Sequence, residues 1–286
     1  MKRLRHWLAL SLLLASGLGQ ARGEANSIIW MVSDFPPVTI VEGPQQGQGY
    51  ADRWMALLAS RLPGRQYQQV TATAQRTVSE MQARPNVCSP AFLKTPEREA
   101  LLVYSRPYLS LLPNGMVTTR SKLDSLKPFL DASGQLRLDA LLASGSFRVA
   151  ALAARSYGPA ADQALADQRD AVVQLRMVKT FSTSLKAMAS QRADFDCYLG
   201  YAIEFEYHRR LADLDIQPFA FLPIAGQPQF TPAHVACSRS PEGEAFIRQV
   251  DQLIAENAVR EQVASYYRAW LPAAVARSWD QARSLR

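Results

Sequence analysis

Short apolar segments alternate with longer amphipathic segments along most of the chain, and the alternation occurs twice. The apolar, strand-like segments lie at residues 28–32, 67–71 and 87–92 and, after residue 119, at 147–152, 172–178 and 195–199. The helix-like segments lie at residues 50–62, 73–82, 158–167, 182–191 and 201–211. Strands that alternate with helices are typical of parallel sheets covered on both faces. The sequence therefore predicts an α/β fold with two similar lobes and mixed, mostly parallel sheets.

The last quarter of the chain adds one strand-like segment, 233–238, and amphipathic helices at 241–257 and 258–270. No linker rich in Gly, Ser or Pro separates the two halves. We therefore expect short crossings near Ser105–Ser110 and Pro223–Thr231.

The first 23 residues have the layout of a secretory signal peptide. Basic residues open the chain, the apolar run Trp7–Leu18 follows, and Ala21 and Gly23 are spaced like a signal-peptidase site. The run is shorter than the ~20 residues that cross a bilayer. We expect export to the periplasm, with cleavage after Gly23 or Ala25. An uncleaved anchor is the alternative, which the small-residue site disfavours.

Most of the basic charge belongs to this segment. The chain has a formal net charge of +7, but removing the four basic residues of segment 1–23 leaves 28 basic and 25 acidic residues. The mature chain is therefore only +3, without a basic block or an aromatic-interleaved basic stripe. This composition gives no indication of nucleic-acid binding.

Three motifs occur in order along the mature chain. Ser33–Pro37 follows the first strand, Thr95–Arg98 leads into Tyr104–Tyr108, and Arg192–Asp196 precedes a later strand. In this order they resemble the family 3 extracellular solute-binding proteins, which have the type II periplasmic-binding fold. The resemblance covers nearly all of the mature chain.

The resemblance implies a lobe one of residues 26–108 plus 230–286 and a lobe two of residues 109–229, joined by a two-strand hinge. A small solute would bind at the carboxyl ends of the strands, and hinge closure would enclose it. The protein would be a monomer that delivers the solute to an ABC-type permease. A membrane sensor is the alternative partner.

In lobe one the resemblance implies that Arg98 grips a ligand carboxylate, because a planar guanidinium can bind it bidentately. Asp34 could accept a hydrogen bond from the solute, and Phe35 could stack on it. Of Tyr104 and Tyr108, we expect one in the core and the other, assigned as Tyr108, at the solute.

In lobe two, Ser156 and Tyr157 follow a strand and precede a helix, where backbone N–H groups favour anions. Simple helix capping is the alternative for Ser156. Tyr201 and Glu204 follow another strand and are the further predicted ligand contacts.

The sequence departs from the amino-acid-binding members of that family at two places. Ala91 and Leu93 stand where those members have serines, and Leu199–Tyr201 stands where they have an Asp for the ligand ammonium. Unless Glu204 or Asp34 takes that role, the ammonium site is missing. The predicted solute is therefore small, polar and carboxylate-bearing, with the amino-acid assignment left open.

The three cysteines, Cys88, Cys197 and Cys237, allow one disulfide in an oxidising compartment, and sequence alone leaves the pairing open. The resemblance places strand 233–238 beside strand 87–92 and so implies a Cys88–Cys237 pair.

Hydrolase chemistry has little support in the sequence. The motifs of serine hydrolases, zinc proteases and phosphate loops do not occur, and the mature chain has only His208 and His234. A Cys88–His234 thiol pair is the one enzymatic alternative. We predict a binding protein without catalytic residues, metal or cofactor.

Overall fold

The computed structural model of the protein describes residues 27–153, 155–175 and 181–284. The predicted signal peptide and the end of the predicted strand 172–178 lie outside these residues. Spatial proximity divides the chain into two compact units. Unit 1 contains the described residues up to Leu109 and Pro232–Tyr266, and unit 2 contains Ser110–Thr231 and the residues from Tyr267 onward.

Unit 1 is a layered α/β unit. Its strands are β1 Ser27–Val32, β2 Gln66–Thr71, β3 Val87–Ser89, β4 Leu102–Tyr104 and β12 Ala236–Ser238. Its helices are α1 Tyr50–Arg61, α2 Ala74–Ala83, α3 Pro96–Leu101 and α9 Pro241–Ala255. Helix α10, Asn257–Arg268, begins in unit 1 and ends in unit 2.

The sheet of unit 1 has the strand order β2-β1-β3-β12-β4. Strands β1, β2 and β3 are parallel, and the returning strand β12 is antiparallel to both β3 and β4. From Ile28 to Val32, β1 is buried on both faces, as its continuous apolar sequence predicts for a central parallel strand. Trp54 of α1 and Phe246 of α9 are fully buried in the unit.

Unit 2 repeats this architecture. Its strands are β6 Gly115–Thr119, β7 Val149–Leu152, β8 Val172–Leu175, β9 Cys197–Gly200 and β10 Phe219–Pro223. Its α-helices are α4 Leu123–Leu126, α5 Leu138–Ala143, α6 Pro159–Asp167, α7 Phe181–Ala189, α8 Ala202–Leu211 and α11 Ala273–Ser284. Short 3₁₀ turns lie at Arg120–Lys122, Lys127–Phe129 and Arg169–Ala171.

The sheet of unit 2 has the order β10-β6-β9-β7-β8. Strands β7, β8 and β9 are parallel, whereas β6 is antiparallel to β9 and β10. The amino ends of β7 and β9 and the carboxyl end of β6 therefore share one edge. The repeated, mostly parallel sheets confirm the predicted α/β class.

Two short strands, β5 Leu109–Leu111 and β11 Thr231–Ala233, pair where the chain passes between the units. The predicted strand 233–238 is interrupted between β11 and β12. There the Ser105 hydroxyl accepts a hydrogen bond from the Val235 N–H at 3.0 Å, so a side chain replaces a ladder partner. The predicted strand 87–92 ends at Ser89, because Pro90 has no N–H to continue the ladder.

The residues after Tyr266 differ from the predicted division of the chain. The sequence analysis assigned 230–286 to lobe one, whereas residues from Tyr267 onward belong to unit 2. The Trp279 indole N–H donates to the Ser110 carbonyl at 2.9 Å, and the Tyr267 hydroxyl accepts from the Leu112 N–H at 3.0 Å. Within the described ranges, no helix combines the length and the apolar character that crossing a membrane requires.

Candidate functional site

The motifs of unit 1 meet at one edge of its sheet. Since β1 and β3 are parallel and β12 is antiparallel to both β3 and β4, the carboxyl ends of β1, β3 and β4 share that edge. The segment Ser33–Pro37 directly follows β1, the segment 90–95 follows β3, and β4 ends at Tyr104. Open α/β sheets usually bind ligands at this kind of edge.

Arg98 is held in place at this edge by an aromatic ring and a carbonyl. Its guanidinium carbon lies 4.4 Å from the centre of the Phe92 ring, and Nη1 donates to the Leu93 carbonyl at 3.0 Å. Thr95 caps the short helix α3, since its hydroxyl accepts from the Arg98 N–H. In the part of the chain that the structure describes, no carboxylate pairs with the Arg98 guanidinium. Its remaining N–H groups are therefore available to an anion.

The neighbours of Arg98 have their own partners. Lys94 forms an ion pair with Glu99 at 2.6 Å, so the Glu99 carboxylate is already paired. The Tyr104 hydroxyl donates to the same Leu93 carbonyl at 3.4 Å. Burial raises the pKa of Tyr104, and the nearby Arg98 charge opposes that rise. Arg98 and Tyr104 thus bind the same Leu93 carbonyl, and the Tyr104 ring lies under Lys94, 5.8 Å from its Nζ.

Asp34 and Phe35 lie beyond the carboxyl end of β1, as predicted. Asp34 is exposed and Phe35 is half-buried. Phe35 forms a narrow turn with Thr39, in which the two backbone N–H groups each donate to the other residue's carbonyl at 3.2 Å. The turn holds Asp34 at the sheet edge, and solute contact by either residue stays a prediction.

Tyr108 lies in the core, contrary to its predicted place at the solute. Its side chain is 3% exposed and its ring centre lies 5.2 Å from that of Trp54. Burial raises the pKa of its hydroxyl well above the usual range. The ring packs inward because its contact with Trp54 removes apolar surface from water, and the Tyr108 N–H donates to the Ala233 carbonyl at 3.0 Å. Tyr104, the alternative, is the half-buried one.

A buried ion pair lies at the carboxyl edge of the unit 2 sheet. Glu204 is completely buried, and its Oε1 accepts from Arg155 Nη1 at 2.8 Å. Its Oε2 accepts from the Tyr201 N–H at 2.9 Å, which caps helix α8. Both oxygens of Glu204 are therefore engaged inside the unit, so Glu204 does not supply the missing ammonium site.

The Arg155 guanidinium lies between two tyrosine rings. Its carbon is 4.8 Å from the ring centre of Tyr201 and 5.1 Å from that of Tyr157. Tyr201 is half-buried, whereas Tyr157 is 2% exposed, and its hydroxyl accepts from the Leu152 N–H at 2.8 Å. The structure places Tyr157 in the core, contrary to its predicted ligand role, and its carbonyl accepts from the Gln227 side-chain amide at 3.0 Å.

Ser156 does not cap helix α6, whose N-cap is Gly158, and solute contact by Ser156 stays a prediction. Its hydroxyl donates to Asp162 at 2.6 Å, and the other oxygen of Asp162 accepts from the Tyr157 N–H at 2.7 Å. These bonds fasten the loop to the first turn of α6.

Sequence reasoning missed Phe92, the ring under Arg98. An aromatic residue shortly before a Thr-x-x-Arg motif was the available signal.

Cys88 and Cys237 form a disulfide, as predicted, with an S–S distance of 2.04 Å. They lie opposite each other on the antiparallel strands β3 and β12. The Cys88–His234 thiol alternative is therefore ruled out.

Cys197 is a free, fully buried thiol, and burial raises its pKa to about 12. Among the described residues, no three His, Cys, Asp or Glu side chains could together hold a metal ion.

His208 is buried inside unit 2 rather than at the sheet edge. It is 2% exposed, and its Nδ1 lies 2.8 Å from the Ser182 hydroxyl. Its Nε2 has no hydrogen-bond partner among the described residues. Burial lowers the pKa of His208 from 6.5 to about 4. The imidazole is therefore a neutral core group.

The pH dependence of stability follows from this lowered pKa. As the pH falls below 6.5, the unfolded chain binds the His208 proton first, so stability present above pH 6.5 is lost on the way to pH 4. The expected loss is about 3 kcal/mol in the free energy of unfolding. Urea titrations of the wild type and of His208→Gln between pH 4 and pH 6.5 measure this loss of stability. An equal slope in both proteins would contradict the assignment.

Comparisons with known proteins agree on the fold. No family model matches the chain, and no curated protein matches it in sequence. An ancestral cationic amino acid solute-binding protein aligns with a TM-score of 0.60 at 15% identity, covering 88% of this chain and 99% of its own. The BvgS VFT2 domain of Bordetella pertussis aligns with a TM-score of 0.54 at 20% identity, covering 89% and 97%.

An amino acid ABC transporter substrate-binding protein from Streptococcus pneumoniae, solved with L-arginine bound, aligns with a TM-score of 0.56 at 14% identity. The alignment covers 88% of this chain and 96% of that one. At these identities the likenesses show the fold alone. The chain has the type II periplasmic-binding fold, as the sequence resemblance implied.

Proposed function

We propose that this chain is a periplasmic binding protein, not an enzyme, for a small polar solute that carries a carboxylate. The observation that carries the proposal is the Arg98 guanidinium, fixed on Phe92 at the sheet edge without a carboxylate partner among the described residues. A cation held in this way loses little conformational entropy when it binds a carboxylate bidentately. The fold and its binding-protein neighbours support the same conclusion.

The hydrogen bonds of Glu204 limit which residue could bind a ligand ammonium. Its carboxylate is engaged by Arg155 and by the backbone of Tyr201, so Asp34 remains the candidate acceptor for a ligand ammonium. A ligand with both charges would use Arg98 and Asp34. A ligand with a carboxylate alone would need only Arg98.

Delivery to an ABC-type permease is part of the proposal. One structural neighbour is such a transporter's substrate-binding protein, whereas the BvgS VFT2 domain supports the alternative of a sensor partner. The genes beside this one discriminate between the two, since uptake requires permease and ATPase genes. Hinge closure and periplasmic export stay predictions. Small-angle scattering with and without solute tests hinge closure, and cell fractionation tests export.

The test of solute binding is a thermal-shift and calorimetric screen of the mature protein. The panel pairs carboxylates with their amides: succinate with succinamide, and L-arginine and L-glutamine with their α-amides. Ligands that bind the folded state raise the melting temperature by mass action. For any carboxylate found, we expect Arg98→Ala to weaken binding at least about tenfold.

Arg53 offers a matched control. Its guanidinium carbon also lies 4.4 Å from an aromatic ring, that of Tyr266, in unit 1. Arg53→Ala removes the same kind of stacked cation and is expected to leave solute affinity unchanged. Equal affinity of the wild type and Arg98→Ala for a bound carboxylate would overturn the role of Arg98. Turnover of the solute would overturn the proposal that the chain is not an enzyme.

A further inference from the structure

Unit 2 has a cavity at the edge of its sheet opposite to Arg155 and Glu204. It lies where β6 ends and β9 begins, and its volume is about 330 Å³. Its polar lining residues are Thr119, Ser121, Lys122, Gln191 and Asp196. Met188, Ala193 and Phe195 supply an apolar part. A concave surface of this volume with convergent polar groups is within the range of small-molecule sites.

The two charges in this cavity neutralise each other. Lys122 and Asp196 form an ion pair, with side chains 39% and 25% exposed. The second oxygen of Asp196 accepts from the Arg148 N–H at 2.8 Å. An anion would be repelled by Asp196 and a cation by Lys122. An entirely apolar ligand would remove water from both charges and could not replace the hydrogen bonds that the water had formed with them.

Hydroxyl and amide groups complete the polar lining. The hydroxyls of Thr119 and Ser121 lie 3.0 Å apart and share one hydrogen bond, so each keeps further capacity to donate or accept. The Gln191 side chain is exposed, and its amide forms no hydrogen bond with a described residue, so it is open to water or to a ligand. Groups that both donate and accept suit ligand hydroxyls, which also do both.

The backbone at Gln191 is an independent observation. Helix α7 ends just before it, and Gln191 has φ +56°. Glycine is the residue that normally occupies this left-handed position after a helix, because a side chain there is strained. At this position the chain carries an amide that lines the cavity instead. Such strain is found preferentially at ligand-binding sites.

We propose that this cavity is a second binding site, for a neutral polyhydroxylated molecule no larger than a monosaccharide. Vicinal hydroxyls would donate to Asp196 and accept from Lys122, and the apolar face of the ligand would lie towards Phe195. The site is separate from the Arg98 site in unit 1 and goes beyond the proposed function. Its volume sets the size limit.

The experiment titrates the mature protein with glycerol, xylitol, myo-inositol and D-glucose, using saturation-transfer NMR and calorimetry. We expect saturable binding of at least one of them with a dissociation constant of about 1 mM. D-glucuronate and D-glucosamine add one charge to the glucose ring. Each is expected to bind at least about threefold more weakly than D-glucose.

Gln191→Gly is the informative variant. It removes the amide and relaxes the backbone, so the melting temperature is expected to stay the same or rise. Binding of the polyol is expected to weaken at least about threefold, the effect of one lost hydrogen bond. A melting temperature at or above that of the wild type, measured on the same sample, shows that weaker binding does not reflect unfolding.

Arg98→Ala separates this proposal from the proposed function. It is expected to leave polyol binding unchanged while it weakens carboxylate binding. The second site is overturned by the absence of saturable binding for all four polyols, or by unchanged affinity in Gln191→Gly. Loss of polyol binding in Arg98→Ala, or tighter binding of D-glucuronate than of D-glucose, also overturns it.

Discussion

Replacing both Cys88 and Cys237 by alanine is expected to lower the free energy of unfolding of the protein by about 5 kcal/mol. The disulfide joins residues separated by 149 positions. A cross-link that closes so long a loop restricts the unfolded chain strongly, and this effect grows with the logarithm of loop length. Segment Ser110–Thr231 of unit 2 lies inside that loop, whereas the residues of unit 2 from Tyr267 onward lie outside it.

The location of the bond adds to this effect. Both cysteines are completely buried, on strands in the middle of the unit 1 sheet. Strand β12 returns to unit 1 only after the chain has passed through unit 2, so its pairing with β3 is a long-range contact. The disulfide holds this contact in place when other interactions weaken. Loss of the bond is therefore expected to affect unit 1 first.

Urea denaturation under oxidising conditions measures the difference between the wild type and the double variant. Adding dithiothreitol is expected to destabilise the wild type and to leave the double variant unchanged. Cys197→Ala is the control, because it removes a buried thiol outside the disulfide. A difference below about 1 kcal/mol between the wild type and the double variant would contradict the expected role of the loop.

Replacing Glu204 by glutamine is expected to cost about 3 kcal/mol or more. The carboxylate is completely buried and accepts hydrogen bonds from Arg155 and from the Tyr201 N–H. The Arg155 side chain is only 15% exposed. Removing the negative charge takes away the ionic partner that Glu204 gives to the Arg155 guanidinium, which lies desolvated between two tyrosine rings.

A double variant tests this explanation. Replacing Arg155 by methionine in the Glu204→Gln background removes the buried positive charge that has lost its Glu204 partner, so part of the lost stability is expected to return. Glu256→Gln is the matched control, because Glu256 pairs with Arg61 where both side chains are about 40% exposed. That variant is expected to cost less than about 1 kcal/mol. If both glutamine variants cost the same, burial of the Arg155–Glu204 pair is not what stabilises unit 2.

The Arg155–Glu204 pair also shows where sequence reasoning about the site ended. Strand-to-helix boundaries predicted correctly that Glu204 follows a strand at the carboxyl edge of the second sheet. Whether its carboxylate faces a solute or an internal cation depends on Arg155, 49 residues earlier in the chain. Only the parallel pairing of β7 with β9 brings these two residues together.

Tyr108 and Tyr157 illustrate the same limit. Both follow motifs that lead to the sheet edges, and both are amphipathic rings that suit either a core or a binding surface. Trp54 lies against Tyr108, and the Leu152 N–H binds the hydroxyl of Tyr157. These contacts join residues that are not predicted neighbours, so a single sequence could not choose between the two environments.

The sequence by itself determined the class of fold and the order of its elements. Hydrophobic periodicity is a local property, and most predicted helices and strands, such as α1 and β1, end within two residues of their observed bounds. The tertiary structure alone decided which polar groups are already paired. It engages Glu204 with Arg155, buries Tyr108 and Tyr157, and leaves Arg98 stacked on Phe92. The physical reason is that such pairing depends on contacts between segments distant in sequence, which local patterns do not record.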